Sequence, residues 1–151
     1  YLEDIMLLRD TLNQLFYSMT INELQLMNTK FQSLNITYNS LLYLDIISYT
    51  NNCTITFLAQ SLHISKSAVT IKINEMVKQG LIIKEQSEDD KRVFYLKLND
   101  NIATIYQKYD KALYKTIEAM DKTYSKQELE TFCRIMSDIE KTYTKEIQNG
   151  K

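Results

Sequence analysis

Residues 54–98 read TITFLAQSLHISKSAVTIKINEMVKQGLIIKEQSEDDKRVFYLKL, and three kinds of local signal follow one another along them. Phe57, Leu58, Ala59 and Leu62 recur at helical spacing. Thr56 stands where its hydroxyl would accept an orphan backbone N–H, so a short helix is expected to start there. After the connection His63-Ile64, whose histidine reads as a turn residue, Ser65 is the next N-cap. Ile64 and Val69 occupy the N′ and N4 positions of a hydrophobic staple. A second helix is therefore expected from Lys66 to Gln79. Its Val69, Ile73, Met76 and Val77 share one apolar face, while Ser67, Thr70, Asn74 and Lys78 lie elsewhere on the cylinder. Gly80 falls where a helix C′ residue needs positive φ, which glycine adopts without steric cost. Beyond it, Leu81–Gln86 and Arg92–Leu98 flank the charged turn SEDDK. Phe94, Leu96 and Leu98 alternate with Val93, Tyr95 and Lys97, the pattern of a β-hairpin with one buried face.

Two short helices joined by a tight turn and followed by a hairpin match a winged helix-turn-helix, whose second helix enters the DNA major groove. The same residues resemble the multiple-antibiotic-resistance regulator (MarR) family of winged-helix transcription factors. Ile36-Thr37 leads into LLYLDII, and Leu58-Ala59 opens the first helix of the motif. Ser65-Lys66-Ser67-Ala68-Val69-Thr70 opens the recognition helix, Lys78-Gln79-Gly80-Leu81-Ile82 closes it, and Asp90-Lys91-Arg92 sits at the wing tip. The resemblance covers residues 36–98 by motif and the flanks by helical layout. Two positions depart from it. The family carries an arginine after the recognition-helix threonine, where this chain has Ile71 and then Lys72. The family's threonine and glycine after the last wing strand are replaced by Asn99-Asp100-Asn101, residues that also cap helices well.

With 151 residues, 44% hydrophobic and 25% charged, the chain has ordinary globular composition and suits a single domain, 1–151. The expected architecture is mainly α with a small β-hairpin wing. Residues 36–98 form the winged helix-turn-helix part, and residues 1–35 and 99–151 form N- and C-terminal dimerisation helices. No apolar run approaches the length of a membrane span and no leader pattern is present, so a cytoplasmic protein is expected. Cys53 and Cys133 lie far apart with no CxxC, and His63 is the only histidine. Reduced thiols, no metal site and no cofactor follow from that spacing. Nothing resembles a nucleophile-base pair, paired apolar carboxylates or a phosphate loop, which leaves no basis for an enzyme.

The net charge of −1 argues against nucleic acid until its distribution is considered. Residues 54–98 hold seven Lys/Arg and five Asp/Glu, residues 1–53 two and five, and residues 99–151 nine of each. The motif is thus the basic part of an acidic chain, which is compatible with DNA.

In the N-terminal flank Leu2, Ile5, Leu8, Leu12, Leu15 and Met19 form one apolar stripe at near-heptad spacing. Thr20-Ile-Asn-Glu23 has capping-box spacing, so either one bent helix runs to about Lys30 or it breaks near Met19. Ile36, Thr37 and Leu41 repeat the staple pattern and open a helix carrying Leu42, Leu44, Ile46 and Ile47, which ends at the Tyr49-Thr-Asn-Asn turn. After the wing, Ile102, Ile105, Tyr109, Leu113, Ile117 and Met120 form a second stripe. Ser125-Lys-Gln-Glu128 caps a last helix carrying Leu129, Phe132, Met136, Ile139, Tyr143 and Ile147. Three long amphipathic helices exceed what one wing domain can cover, so a homodimer is the expected use of the remainder.

The expected partner is double-stranded DNA bearing a pseudo-palindromic operator. Ser65, Ser67, Ala68, Thr70 and Ile71 lie in the first turns of the recognition helix, where side chains meet base edges. Thr56 joins them from the first helix. Lys66 and Lys72 would serve phosphates. Lys91 and Arg92 stand at the wing tip, where Arg92 would enter a narrow minor groove and Asp90 would orient its guanidinium. The resemblance further implies a small aromatic effector that releases a repressor from its operator, with Phe16, Tyr17, Tyr38 and Tyr43 as its pocket walls. The alternative is a winged-helix protein-interaction module with weak or lost sequence-specific DNA binding, which Ile71, Glu75 and the acidic pI would fit.

Overall fold

A computed structural model describes residues 2–26, 28–29 and 36–150. In chain order it contains α1 (Leu2–Leu26), α2 (Tyr38–Tyr49), α3 (Ile55–Leu62), α4 (Lys66–Lys78), β1 (Ile82–Gln86), β2 (Phe94–Leu98), α5 (Asp100–Thr123) and α6 (Lys126–Asn149). The contacts divide the chain into two compact units, Tyr1–Ile105 and Tyr106–Lys151.

The first unit holds the core. Leu41, Tyr43, Leu44 and Ile47 of α2 are buried with Leu58 and Ala59 of α3, Val69, Ile73 and Met76 of α4, Leu81, Ile82, Leu96 and Ile102. Local chemistry sets most element ends. Thr37 Oγ1 accepts the Ser40 N–H at 3.2 Å and starts α2, while Ser65 Oγ accepts the Ala68 N–H at 3.2 Å and starts α4. Asn99 Oδ1 accepts the Asn101 N–H at 3.1 Å, so the departure from the family pattern leaves the start of α5 satisfied.

The cap of α3 differs from expectation. Thr54, not Thr56, is extended and accepts the Phe57 N–H at 3.1 Å. The reason is tertiary: the Cys53 carbonyl accepts the Leu96 N–H at 2.8 Å, which ties the chain before α3 to β2 and places the first helical residue at Ile55. Thr56 becomes an exposed residue of the first turn.

Both helices of the motif end in Schellman closures. In α4 the Leu81 N–H reaches the Met76 carbonyl and the Gly80 N–H the Val77 carbonyl, with Gly80 at φ 70°. In α3 the Ile64 and His63 N–H groups reach the Ala59 and Gln60 carbonyls, with His63 at φ 53°, so the histidine is the turn residue. A Cβ at Gly80 would meet nothing within 4 Å. Gly80→Ala therefore costs backbone strain alone, about 1–2 kcal/mol. His63→Gly relieves the same strain and is expected to stabilise by up to about 1 kcal/mol. Thermal unfolding of the two variants should move Tm in opposite directions; a shared direction would contradict the left-handed closures.

β1 and β2 pair antiparallel in the register Ile82↔Leu98 through Gln86↔Phe94. The strand after the turn begins at Phe94 rather than Arg92, because residues 87–93 fold as a loop closed by the Ser87 N–H on the Val93 carbonyl at 2.9 Å. Leu96 is buried, but Phe94 is 45% exposed, since the core backs only the base of the wing. Val77, expected on the buried face of α4, is likewise exposed, as is Leu42.

α1 runs unbroken past Met19 to Leu26. Thr20 Oγ1 donates to the Phe16 carbonyl at 2.9 Å, the behaviour of an interior helical threonine rather than a cap. Lys30 lies outside the described residues, as do the side chains of Leu2 and Tyr109. No described side chain of α1 is buried.

In the second unit, Ser125 and Glu128 form the expected capping box at the start of α6, the Ser125 N–H donating to Glu128 Oε2 at 2.8 Å. α6 has no buried residue. Phe132, Ile135, Tyr143 and Ile147 are all exposed. No described helix is long and apolar enough to cross a membrane.

Candidate nucleic-acid interface

α4 presents two faces of different chemistry. Val69, Ile73 and Met76 are fully buried, which fixes the rotation of the helix. Ser67, Ala68, Ile71, Asn74, Glu75 and Lys78 are then exposed. Lys66 is exposed at the first helical position, and Ser65 is exposed with its hydroxyl engaged as the cap. Thr70 is half-buried and donates to the Lys66 carbonyl at 2.7 Å, so its hydroxyl retains only acceptor capacity for a ligand.

Lys72 stands differently from Lys66. Its Nζ donates to Glu75 Oε1 at 3.1 Å, and its side chain is only 14% exposed. Gln79 Nε2 donates to the same oxygen at 3.2 Å. The Lys72 charge is thereby spent on an acid of its own helix, which weakens it as a phosphate contact.

The wing tip is built from short-range bonds. Asp90 Oδ1 accepts the Arg92 backbone N–H at 3.0 Å and its Nε–H at 3.1 Å, and Asp90 Oδ2 accepts from a terminal guanidinium nitrogen at 3.1 Å. This two-point grip holds Arg92 with its side chain 91% exposed. Hydrogen bonds from the Arg92 side chain and then its backbone pull the Asp90 pKa below the usual carboxylate value, and the same side-chain bond raises that of Arg92. Lys91 is exposed beside them, and Gln86 Nε2 braces its carbonyl at 2.6 Å.

Two contacts had no local signal. Lys84 Nζ on β1 donates to Asn74 Oδ1 on α4 at 2.7 Å, tying wing to recognition helix across ten residues of sequence. Glu85 pairs with Lys97 across the hairpin. Both depend on register, which periodicity alone does not give.

The four aromatic residues of the expected effector pocket are not alike. Phe16, Tyr17 and Tyr38 are exposed, whereas Tyr43 is buried in the core, where desolvation raises its pKa. Two open grooves described on the surface lie on α6 and involve none of the four; one is lined by Ile135, Ile139 and Tyr143, the other by Phe132 and Ile135. Cys53 is fully buried and its thiol is pushed up to about 11 by desolvation, which keeps it protonated and unreactive at neutral pH.

Comparison with known proteins bears on the fold. No curated protein matches the chain by sequence. Among solved structures, Streptococcus pneumoniae FabT in complex with DNA superposes with a TM-score of 0.66 at 19% identity, covering 91% of this chain and 96% of its own. A MarR family protein from Bacillus stearothermophilus gives 0.63 at 15% identity, covering 95% and 98%. Staphylococcus aureus MarR in complex with salicylate and kanamycin gives 0.56 at 22% identity, covering 93% and 95%. Residues 36–94, from the N-terminal side of α2 to the first residue of β2, match the MarR family. That stretch, the winged helix-turn-helix, is the part of the chain that is similar to the MarR family.

Proposed function

We infer that the chain is a homodimeric DNA-binding transcriptional regulator, a repressor, which sets α4 in the major groove and the Asp90–Arg92 wing in the minor groove. Residues 36–98 serve as its DNA-binding part, with 1–35 and 99–151 as the dimer frame of one functional domain. The observation that carries the reading is Arg92. Its side chain is 91% exposed, yet its guanidinium is held in one orientation by two hydrogen bonds donated to the Asp90 carboxylate, which also accepts the Arg92 backbone N–H. The fold gains nothing from a charge displayed there, whereas a narrow groove of negative potential does. The DNA-bound state of the fold neighbour FabT supports it.

Dimerisation is supported by α6. α6 is a 24-residue helix with no buried side chain, so its capping box and surface pairs act without the apolar packing that most helices depend on. A second copy covering Phe132, Met136, Ile139 and Tyr143 supplies what is lacking, and a two-fold pair would set two α4 helices about 34 Å apart on successive major-groove faces. An aromatic effector is supported by the salicylate complex of the S. aureus neighbour; Phe16, Tyr17 and Tyr38 are exposed to meet a ligand, whereas Tyr43 is in the core.

Fluorescence anisotropy on duplex DNA from upstream of the chain's own gene, against a scrambled duplex at two salt concentrations, tests the reading. Preferential binding that weakens steeply with salt is expected, and added salicylate should lower it. Equal, feeble binding to both duplexes at low salt would favour the protein-interaction module instead.

A further inference from the structure

We propose that α4 reads thymine methyl groups, with Ile71 as the reading side chain, so that the base pairs beneath it are A·T with thymine methyls toward the helix. The proposal rests on the DNA-binding reading above and adds the base it selects.

At about 100° per residue, the exposed residues Ser67, Ala68, Ile71, Asn74, Glu75 and Lys78 fill one arc of α4, and Ile71 falls at its centre. The buried trio Val69, Ile73 and Met76 lies almost opposite. Ile71 is 71% exposed. A β-branched apolar side chain at the middle of a solvent-facing helical arc improves neither helix propensity nor packing, so its use lies outside the folded monomer. In the major groove only thymine, among the four ordinary bases, presents a methyl group. Ala68, one turn before it and also exposed, extends the apolar surface.

The polar members of the arc do not supply a competing readout of guanine. The arc carries no arginine. Lys72 is engaged with Glu75, Lys78 stands in the last turn of the helix, and the Asn74 amide is held by Lys84 of β1, all apart from the first turns, whose side chains meet base edges. The Ser67 hydroxyl can donate or accept and so bonds to any base, while the half-buried Thr70 hydroxyl, its proton held by the Lys66 carbonyl, lies off the exposed arc. The apolar contact is therefore the discriminating one.

The test uses a duplex recovered by selection on the full-length protein from a randomised pool, synthesised with thymine and again with deoxyuridine at the same positions. Uracil pairs identically and lacks only the methyl. Loss of one buried methyl per half-site is expected to weaken binding about fourfold, and about fifteenfold for two half-sites. Ile71→Ala, which removes an exposed side chain and leaves the core intact, should bind the two duplexes equally. If wild-type protein prefers the selected duplex over a scrambled one but ignores the methyl, the methyl readout is wrong while DNA binding stands. Discrimination that survives in Ile71→Ala would overturn the assignment to Ile71. No preference over the scrambled duplex would remove both readings together.

Discussion

Phe132→Asp is expected to convert the proposed dimer to a monomer and to lower the protein's helix content. Phe132 lies on the α6 stripe with Met136, Ile139 and Tyr143, and it is exposed in the single chain. Covering it in a dimer gains about 2 kcal/mol of apolar burial. A two-fold interface repeats the substitution, so the loss approaches 4 kcal/mol, or roughly a thousandfold in dimer dissociation constant. The carboxylate adds a desolvation cost in the same direction. Arg134→Asp, on the opposite side of the same helix, carries as large a charge change and should leave assembly intact. Sedimentation equilibrium and far-UV circular dichroism read both quantities. Two variants that behave alike would place the dimer contact elsewhere.

Arg92→Ala should produce the largest loss of DNA affinity of any wing substitution. Removing one cation per subunit is expected to lower the slope of log K against log salt by about two for the dimer. At roughly 1 kcal/mol per half-site the affinity should fall on the order of thirtyfold. Arg92→Lys keeps the charge but not the planar fork that Asp90 grips, so an intermediate affinity is expected. Asp90→Ala leaves the cation unoriented and should weaken binding with little change in salt slope, which separates orientation from charge. The Asp90 pKa is lowered by Arg92. A depressed folded pKa favours the paired wing above the ordinary carboxylate range and loses that contribution only as pH falls through the lowered value. Binding near neutral pH is accordingly expected to be independent of this pair's titration. Arg92→Ala with wild-type affinity and slope would remove the wing from the interface.

Legibility followed the range of the interactions. Ser65, Thr37, Ser125-Glu128 and Gly80 each act on backbone groups within a few residues, so their spacing announced the ends of α4, α2 and α6 before any packing was known. The same holds for the order of α3, α4 and hairpin, which sufficed to name the winged fold. The wing pair Asp90–Arg92 was legible for the same reason, being two residues apart. Thr54 and Thr56 were equivalent as local caps; a backbone bond between Cys53 and Leu96 chose between them.

What the sequence by itself determined was the type of each element and the apolar stripe it offers, because propensity, capping and periodicity are properties of adjacent residues. Tertiary structure alone decided which part of each stripe is covered. It left Val77, Leu42 and Phe94 outside a core too small to reach them, turned Lys72 onto Glu75, and joined Lys84 to Asn74. Those outcomes depend on the register and approach of elements distant in the chain, where several arrangements satisfy the same pattern and only close packing selects one.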